Sequence, residues 1–591
     1  MILLGPFLCL VCSFITGLYS CEAAPATAPR SNPLLVSLPL GSVLGANTAY
    51  SAQRFTLPYT APPVGQLRFA SPQPITTFSN GSKAGTYDAS QLPKACIQQP
   101  DSRYGIQQDG ISEDCLYLNI FRPTPGNQKS ANLPVLFWVH GGSFISGSST
   151  APGLDGSYLA SQNNIIVITV QYRLGIFGWF SPSQFTDEST PSSGKVQGNQ
   201  GLLDVILALR FVQDHIAAFG GDPGSITLAG QSSGAHLIRA LLNSPTATSL
   251  FHRAILHSDP SNFGTQTKKT SGEISDYALS QTGCSDLACL RGMDVGDVLR
   301  ASSATVAAGQ GIDGSVAAAE VWRPFVGEIT GSAFEGDPAG SSLGGKPVVW
   351  TNVENEAGSV VGSMLMPTAT GATSAQLRAY PVTLTREQLL EQMFNANRAS
   401  TLAACPQYGM NSNTSSYPTP AKVQVYSAAS DSLRRNLETL LTQGMFTCPT
   451  WFNALRYAPK APVYVALFEK GISYPSNQGN DYCTQGRVCH EDDILLIFSD
   501  PDKVDGDSVR VLREVQARWV SFMRSGNPNG GGYGGWDRVG ASQQAAKVLR
   551  LGVYAGQKGS MLDTISLQTG QYAGCGQVWG SKVQFDWQLY G

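Results

Sequence analysis

The stretch SITLAGQSSGAHLIRALLN (225–243) decides the fold of this 591-residue chain, because it combines a short strand, a sharp turn and a helix with no linker between them. The apolar run SITLAG (225–230) is typical of a strand buried on both faces, and SGAHLIRALLN (233–243) carries apolar residues at helical spacing. Between them, Gly230-Gln231-Ser232-Ser233-Gly234 forms a G-x-S-x-G sequence, whose glycines permit a turn tight enough to expose the central serine. We therefore predict that Ser232 is a nucleophile at the end of a buried strand.

Strands and helices alternate on both sides of this stretch. The predicted strands are PVLFWVH (134–140), NIIVITVQY (164–172) and PVYVALF (462–468), and the predicted helices are NQGLLDVILALRFVQDHIAAF (199–219) and the segment 507–524. Strands that alternate with helices favour a parallel sheet covered by helices on both faces. No internal repeat or linker interrupts the pattern, so we predict one α/β domain over residues 24–591.

Composition excludes several classes of protein. Hydrophobic residues make up 42% of the chain, which is enough for a large core and excludes a disordered chain. The 39 basic and 42 acidic residues leave a net charge of -3, which provides no basic surface for nucleic acid. No His/Cys spacing matches a metal site, and nothing in the sequence implies a metal, a nucleotide or another cofactor.

The N-terminal segment is predicted to be a signal peptide covering residues 1–23. MILLGPFLCLVCSFITGLYS (1–20) is apolar and uncharged, and the small residues of CEAAPATAP suit cleavage near Ala23 or Ala24. The alternative is an uncleaved membrane anchor, because the first basic residue is Arg30. No second long apolar run follows, so we expect a secreted, extracellular protein without a stable membrane span after cleavage.

Nine cysteines follow the predicted signal peptide, and none lies in a CxxC sequence. In a secreted protein the default is disulfide bonding, although sequence alone leaves the connectivity open. Pairing of nearest neighbours gives Cys96–Cys115, Cys284–Cys289, Cys405–Cys448 and Cys483–Cys489 and leaves Cys575 over. Two N-x-S/T sequences predict glycosylation at Asn80 and Asn413.

Five collinear blocks together identify a family resemblance. The blocks are FTLPYTAPPVGQLRF (55–69), SEDCLYLNIFRP (112–123), QYRLGIFGWF (171–180), GNQGLLD…FGGDPGSITLAGQSSGAH (198–236) and RSGNPN (524–529). They resemble the type-B carboxylesterase/lipase family of α/β-hydrolases, which includes cholinesterases and fungal lipases, over about residues 35–540. The resemblance implies an α/β-hydrolase fold, with a large, mostly parallel central sheet, flanking helices and long loop insertions.

The resemblance also implies a catalytic triad in the order serine, acid, histidine. The acid of the family follows a strand and closes on Glu-Gly, so that PVVWTNVENEAGSVV (347–361) makes Glu356 the predicted acid. This chain has Glu-Ala-Gly instead, which leaves Glu354 as the local alternative. The base motif of the family matches GRVCHEDDILLIF (486–498) in its H-x-x-D-I half and makes His490 the predicted base.

The oxyanion hole is predicted in the same way. His140-Gly141-Gly142-Ser143-Phe144 follows a buried strand, where α/β-hydrolases carry an HGG-type loop. By resemblance, the backbone N–H groups of Gly142, Ser143 and Ser233 stabilise the oxyanion. Ser258 matches a family serine that supports the acid, and an ordinary hydroxyl at a strand end is the alternative.

Together these residues imply a serine hydrolase that cleaves carboxylic esters through an acyl-enzyme. The cholinesterases of the family place a cation-binding tryptophan in the loop that corresponds to residues 97–114, and these 18 residues between Cys96 and Cys115 contain none, so the resemblance argues against choline esters. This leaves small-molecule or lipid esters as substrates. A lipase or steryl esterase acting on long-chain esters is the alternative, followed by an adhesion or binding protein without activity. The oligomeric state stays open.

Overall fold

A large mixed sheet forms the centre of the computed structural model. The structure describes residues 33–78, 85–126, 132–186, 196–313, 316, 319–327, 345–364, 399–400, 402, 404–405, 428–480, 482–484, 486–504, 506–540, 547–554, 560–564, 575 and 578–579. The predicted signal peptide and both predicted glycosylation sites, Asn80 and Asn413, lie outside the described residues. No helix within the described ranges combines the length and the apolar character needed to cross a bilayer.

The described strands are β1 Leu35–Leu38, β2 Gly41–Leu44, β3 Ala46–Asn47, β4 Ala52–Pro58, β5 Thr86–Asp88, β6 Ala95–Cys96, β7 Ile111–Ser112, β8 Tyr117–Pro123, β9 Leu133–Val139, β10 Ile166–Val170, β11 Gly221–Gln231, β12 Arg253–His257, β13 Val348–Val353, β14 Val463–Phe468, β15 Lys547–Tyr554 and β16 Ser560–Thr564. Eleven of them form the main sheet in the order β3-β4-β8-β10-β9-β11-β12-β13-β14-β15-β16. From β10 to β15 every neighbouring pair is parallel, and the pairs nearer the two edges are antiparallel. The carboxyl ends of the parallel strands therefore meet at one edge of the sheet.

The described α-helices are α1 Ser157–Asn163, α2 Gly175–Trp179, α3 Ser183–Thr186, α4 Gln200–His215, α5 Ser233–Asn243, α6 Lys268–Ser280, α7 Leu287–Gly292, α8 Val295–Ile312, α9 Gly358–Met364, α10 Ala428–Leu441, α11 Cys448–Tyr457, α12 Ile494–Phe498 and α13 Ser508–Ser525. A π-helical segment, Thr442–Thr447, joins α10 to α11. Short 3-10 turns cover Ala49–Ser51, Gly65–Leu67, Ser102–Tyr104, Gln108–Gly110, Ile216–Phe219, Thr248–Leu250 and Pro501–Lys503.

The predicted elements appear close to their predicted bounds. Helix α5 spans the predicted residues, and α4 continues through a 3-10 turn to Gly220, which ends it at φ 88°. Strand β11 begins earlier than predicted, because Gly221 already pairs with Leu133 of β9. The side chains of β10 are all buried, as expected for a strand covered by helices on both faces.

The disulfides require one correction to the predicted pairing. The pairs Cys96–Cys115, Cys284–Cys289 and Cys483–Cys489 are bonded. The predicted Cys405–Cys448 bond is wrong, because Cys448 is bonded to Cys575. Pairing by nearest neighbours assumes that short chain separations dominate. Here the C-terminal segment returns to the start of α11, and the two Cα atoms lie 5.0–5.7 Å apart in all four bonds.

The corrected pairing predicts that the disulfides contribute different amounts to the free energy of unfolding. Cys448–Cys575 closes a separation of 127 residues, and Cys284–Cys289 closes one of 5. In the chain-entropy model, opening the long loop costs roughly 5 kcal/mol of unfolding free energy and opening the short loop roughly 2 kcal/mol. We expect the Cys448→Ser/Cys575→Ser variant to unfold at clearly lower urea than the Cys284→Ser/Cys289→Ser variant. Equal midpoints, or peptide mapping of a Cys405–Cys448 link, would contradict the pairing.

Candidate active site

Ser232 occupies the turn between strand β11 and helix α5, with φ 57° and ψ -127°. A non-glycine residue adopts this backbone region only when its surroundings enforce it, and such strain clusters at functional sites. The enforcing contact is a hydrogen bond of 2.9 Å in which the Ser232 N–H donates to the carbonyl of His257, the last residue of β12. Ser232 is thus held at the carboxyl edge of the parallel strands.

The glycines of the turn allow a close approach of backbone to backbone. A Cβ atom at Gly234 would lie 2.3 Å from the carbonyl oxygen of Val139, and one at Gly230 would lie 2.8 Å from the same oxygen. Val139 ends the neighbouring strand β9, directly opposite Gly230 in the parallel register. Larger residues at either position would separate the turn from β9.

The predicted oxyanion loop lies against this turn. Gly142, Ser143 and Phe144 all have positive φ, at 110°, 54° and 61°, so that the loop curls tightly after β9. The Phe144 N–H donates to Ser233 Oγ at 3.3 Å, and a Cβ atom at Gly141 would lie 3.1 Å from Ser232 Cβ. Within the described residues, no hydrogen bond uses the N–H groups of Gly142, Ser143 or Ser233. Three backbone donors therefore stay available beside Ser232.

His140, the first residue of the oxyanion loop, holds this loop through its ring and its carbonyl. Its Nδ1–H donates to the Gly141 carbonyl at 2.8 Å, and its ring stacks on Tyr172 with the centroids 4.5 Å apart. The Tyr172 hydroxyl donates in turn to the His140 carbonyl at 2.9 Å. Burial lowers the pKa of His140 to about 4, so this imidazole is neutral near neutral pH.

The structure brings Glu356 to His490 and keeps Glu354 away. His490 Nδ1 lies 2.6 Å from Glu356 Oε2, and the Glu356 side chain is fully buried. The other oxygen, Oε1, accepts the N–H of Val353 at 2.9 Å and the side-chain amide of Asn352 at 3.3 Å. Glu354 is exposed to solvent, two residues earlier on the same turn. With the Glu-Ala-Gly spacing, Glu356 is therefore the glutamate whose side chain points toward His490.

No hydrogen bond joins the Ser258 hydroxyl to Glu356 within the described residues. The Ser258 hydroxyl is buried, but it has no hydrogen-bond partner within the described part of the chain. Its backbone N–H donates to the Thr351 carbonyl at 2.7 Å, and its φ is 48°. Val353 and Asn352 hold the acid instead, and a supporting role for Ser258 stays a prediction.

A glutamine that sequence reasoning missed contacts the base. The Gln231 side-chain amide lies 3.0 Å from His490 Nε2, the nitrogen that faces away from Glu356. Because Nδ1–H donates to the carboxylate, Nε2 is the acceptor, and the amide N–H donates to it. No hydrogen bond joins Ser232 to His490 within the described residues. Gln231 occupies one of the two variable positions of G-x-S-x-G, so the sequence motif gave no indication of a contact with the base.

The electrostatic surroundings of His490 are acidic. Burial lowers the pKa of the imidazole, but the hydrogen bond and charge of Glu356 oppose this, as do the charges of Glu491 and Asp493. The carboxylates outweigh burial, so the pKa of His490 lies above its ordinary value of about 6.5. The raised pKa makes the neutral imidazole a stronger proton acceptor.

A disulfide in the segment before His490 packs against the acid turn. Cys489, bonded to Cys483, directly precedes His490 and forms an isolated bridge with Asn355, the residue before Glu356. A Cβ atom at Gly358 would lie 2.5 Å from Cys489 Sγ, so the disulfide packs directly against the start of α9. The disulfide closes the base segment on itself, and the bridge and this packing hold that segment against the turn that presents the acid.

Within the described residues, no group of three or more His, Cys, Asp or Glu side chains is placed to hold a metal ion. The arrangement instead combines a half-buried serine in a strained turn, an imidazole oriented by a buried carboxylate and three available backbone donors. Such a set of groups can carry out nucleophilic acyl transfer.

Comparison with known proteins identifies the family of this chain. Residues 32–567 match the model of the Carboxylesterase family. Carboxylesterase 1C from Rattus norvegicus is 30% identical over 582 residues, which covers 90% of this chain and 94% of that protein. Carboxylesterase 1D from Mus musculus is 29% identical over 580 residues, with the same coverage of 90% and 94%.

Solved structures agree as well. A PNB esterase is similar to this chain with a TM-score of 0.66 and 26% identity, and a thermophylic PNB esterase with a TM-score of 0.67 and 25% identity. Each match covers 90% of this chain and 98% of the other. The predicted family and the α/β-hydrolase fold are confirmed, and this chain belongs to the carboxylesterase family of carboxylic-ester hydrolases.

Proposed function

We propose that this chain is a secreted serine hydrolase that cleaves carboxylic esters through an acyl-enzyme on Ser232. The observation that carries the proposal is the hydrogen bond of 2.6 Å between His490 and the buried Glu356, beside a serine held in a strained turn. A serine hydroxyl is a weak nucleophile unless an adjacent base, itself oriented by a third group, removes its proton. These residues supply that set of groups.

In the proposed first step, His490 Nε2 takes the proton of Ser232 while Ser232 Oγ attacks the ester carbonyl carbon. Gln231 occupies this nitrogen in the free enzyme, so its amide has to release Nε2 before proton transfer. Glu356 keeps its hydrogen bond to Nδ1 and stabilises the imidazolium. The imidazolium then protonates the leaving alcohol, and a water molecule, activated by the same base, hydrolyses the acyl-enzyme.

The negative charge of the tetrahedral intermediate is proposed to bind to the N–H groups of Gly142, Ser143 and Ser233. These donors have no other partner within the described residues, and α5 begins at Ser233 with the positive end of its dipole toward the site. Removal of one donor of this kind typically costs about 3 kcal/mol in the transition state. Fixed backbone donors need no reorganisation during the reaction.

The proposed substrates are small-molecule carboxylic esters. The relatives named above are carboxylesterases and esterases, and the loop 97–114 lacks the cation-binding tryptophan of the cholinesterases that this family includes. These observations do not favour the alternative of a lipase or steryl esterase. Hydrolysis rates from acetyl to oleoyl esters, dissolved and emulsified, would distinguish the two.

Secretion is proposed from the N-terminal segment and the cysteines. Residues 1–23 are apolar and end in small residues suited to cleavage. Four disulfides are formed among the described residues, and disulfides persist in oxidising compartments. N-terminal sequencing of the protein from the culture medium tests this proposal, and a chain retained in membranes with Met1 intact would contradict it.

The nucleophile is tested with the Ser232→Ala variant. We expect ester turnover to fall by more than about a thousandfold, because no other group replaces the nucleophile. A fluorophosphonate probe should label the wild type at Ser232 and leave the variant unlabelled. The exposed Ser249→Ala is the matched control and should keep both labelling and turnover. Labelling of Ser232→Ala at the wild-type rate would refute the assignment.

The acid is tested by comparing two glutamates. Glu356→Gln should lower kcat by roughly three to four orders of magnitude, because an amide favours the wrong imidazole tautomer. Glu354→Gln should change kcat little, because its side chain is exposed and does not contact His490. Steady-state kinetics on one soluble ester measures both variants. The reverse ranking would transfer the role to Glu354.

The pH profile follows from the raised pKa of His490. The base accepts a proton only when it is neutral, so kcat/KM should fall as the pH drops through this pKa. Because the surrounding carboxylates raise the pKa, the midpoint of the acid limb should lie above about 6.5. Measurement of kcat/KM on a soluble ester checks this. A profile that stays flat down to about pH 5 would rule out His490 as a base with a raised pKa.

A further inference from the structure

Glu491, the residue directly after His490, adopts an unusual conformation. Its φ is 79°, in the left-handed region that favours glycine, although it carries a full side chain that is almost completely buried. A backbone of this kind persists only when contacts around it compensate. The mechanism proposed above assigns no role to this carboxylate.

Two hydroxyl groups hold the Glu491 carboxylate. The Tyr104 hydroxyl lies 3.0 Å from Oε2 and 3.2 Å from Oε1, and the Ser476 hydroxyl donates to Oε2. Hydrogen bonds to a carboxylate are stronger than those between neutral groups, and more so when the carboxylate is buried. Asn477 completes the support, because its side-chain amide donates to the His490 carbonyl at 2.7 Å.

Tyr104 comes from a distant part of the chain. It lies in the loop 97–114, between the disulfide-bonded Cys96 and Cys115, at the end of the 3-10 turn Ser102–Tyr104. Its ring also packs against Tyr474, with the centroids 6.3 Å apart. The loop is therefore attached, by one tyrosine, to the residue that follows the base.

From this geometry we infer that Tyr104 and Glu491 are positioning residues, in which Tyr104 holds the Glu491 carboxylate and Glu491 fixes the turn that presents His490 to Ser232. The inference rests on the proposed role of His490 as the base. The loop 97–114 thereby contributes to the reaction through Glu491. Neither residue is assigned a role by the sequence motifs.

The charge of Glu491 gives this role a distinct readout. The carboxyl groups around His490 are Glu356 from the turn after β13, Glu491 and Asp493 from its own turn, and Glu320 from the segment 319–327, whose pKa burial raises to about 8. Each carboxylate, when ionised, favours the protonated imidazole. Removal of the Glu491 charge alone should therefore lower the pKa of His490 and move the acid limb of the pH profile to lower pH.

The first variant is Glu491→Gln, which keeps the size of the side chain and an oxygen for Tyr104 but removes the charge. We expect the acid limb of kcat/KM to move down by about half a pH unit or more. Glu491→Gly removes the whole side chain and suits the positive φ, so it should fold. It should show the same shift with a lower kcat and an unchanged KM.

The second variant is Tyr104→Phe, which removes only the hydroxyl group. We expect a fall in kcat of about tenfold with little change in KM, because the Glu491 carboxylate loses one of its two hydroxyl partners and the base turn loosens. Tyr474→Phe is the matched control. Its hydroxyl donates to the Pro152 carbonyl at 2.8 Å and not to Glu491, so the variant should keep both kcat and the acid limb.

Labelling of Ser232 by a fluorophosphonate probe distinguishes failure of the proposed function from failure of the positioning role. If the wild type is not labelled, the proposed function fails. If it is labelled, and Glu491→Gln and Tyr104→Phe match the wild type in acid limb and kcat, the positioning role is overturned. If Tyr474→Phe loses as much kcat as Tyr104→Phe, the effect is general packing, which also overturns it. Where Glu491→Gln does not fold, the outcome of Glu491→Gly and Tyr104→Phe decides.

Discussion

The close approach of the Ser232 turn to strand β9 is the constraint on which the rest of the site depends. The carbonyl oxygen of Val139 occupies the space that a Cβ atom at Gly230 or Gly234 would need. The same contact keeps β9 and β11 in register and brings the oxyanion loop that follows β9 alongside Ser232. One backbone contact thus places both the nucleophile and the predicted oxyanion donors.

A second set of buried contacts, through His257, holds the turn that carries the base against the turn that carries the nucleophile. Asp493, three residues after His490, accepts a hydrogen bond from His257 Nδ1 at 2.7 Å, and Trp519 Nε1 donates to His257 Nε2 at 3.0 Å. The carbonyl of the same His257 accepts the Ser232 N–H. One buried histidine with a fixed tautomer therefore links the nucleophile turn to the base turn. Such a buried chain of hydrogen bonds rigidifies its surroundings.

The carboxylates around His490 allow its imidazole to become protonated during the reaction. Glu356 orients the ring, while Glu491 and Asp493 add negative charge from the same turn. This charge compensates for the burial of His490, which alone would disfavour its protonated form. The imidazole can therefore carry a proton during acyl transfer although it is largely removed from water.

Much of this protein could be predicted from the sequence. Local sequence patterns are sufficient to predict the strand, turn and helix around Ser232, because the apolar run, the glycines and the helical spacing all act over a few residues. The acid and the base were found by family resemblance, and the structure brings Glu356 and His490 together as that resemblance implies. The choice between Glu354 and Glu356 needed the structure, since it depends on which side chain the turn directs inward.

Only the tertiary structure decided the contacts that join distant segments. The Cys448–Cys575 bond spans 127 residues, so proximity in the sequence led to the wrong partner. The contacts of Gln231 with His490 and of Tyr104 with Glu491 cross 259 and 387 residues. Nothing in these residue types marks them in advance. Local patterns determine which elements form, whereas partners across the fold depend on how these elements pack, and packing is a property of the whole chain.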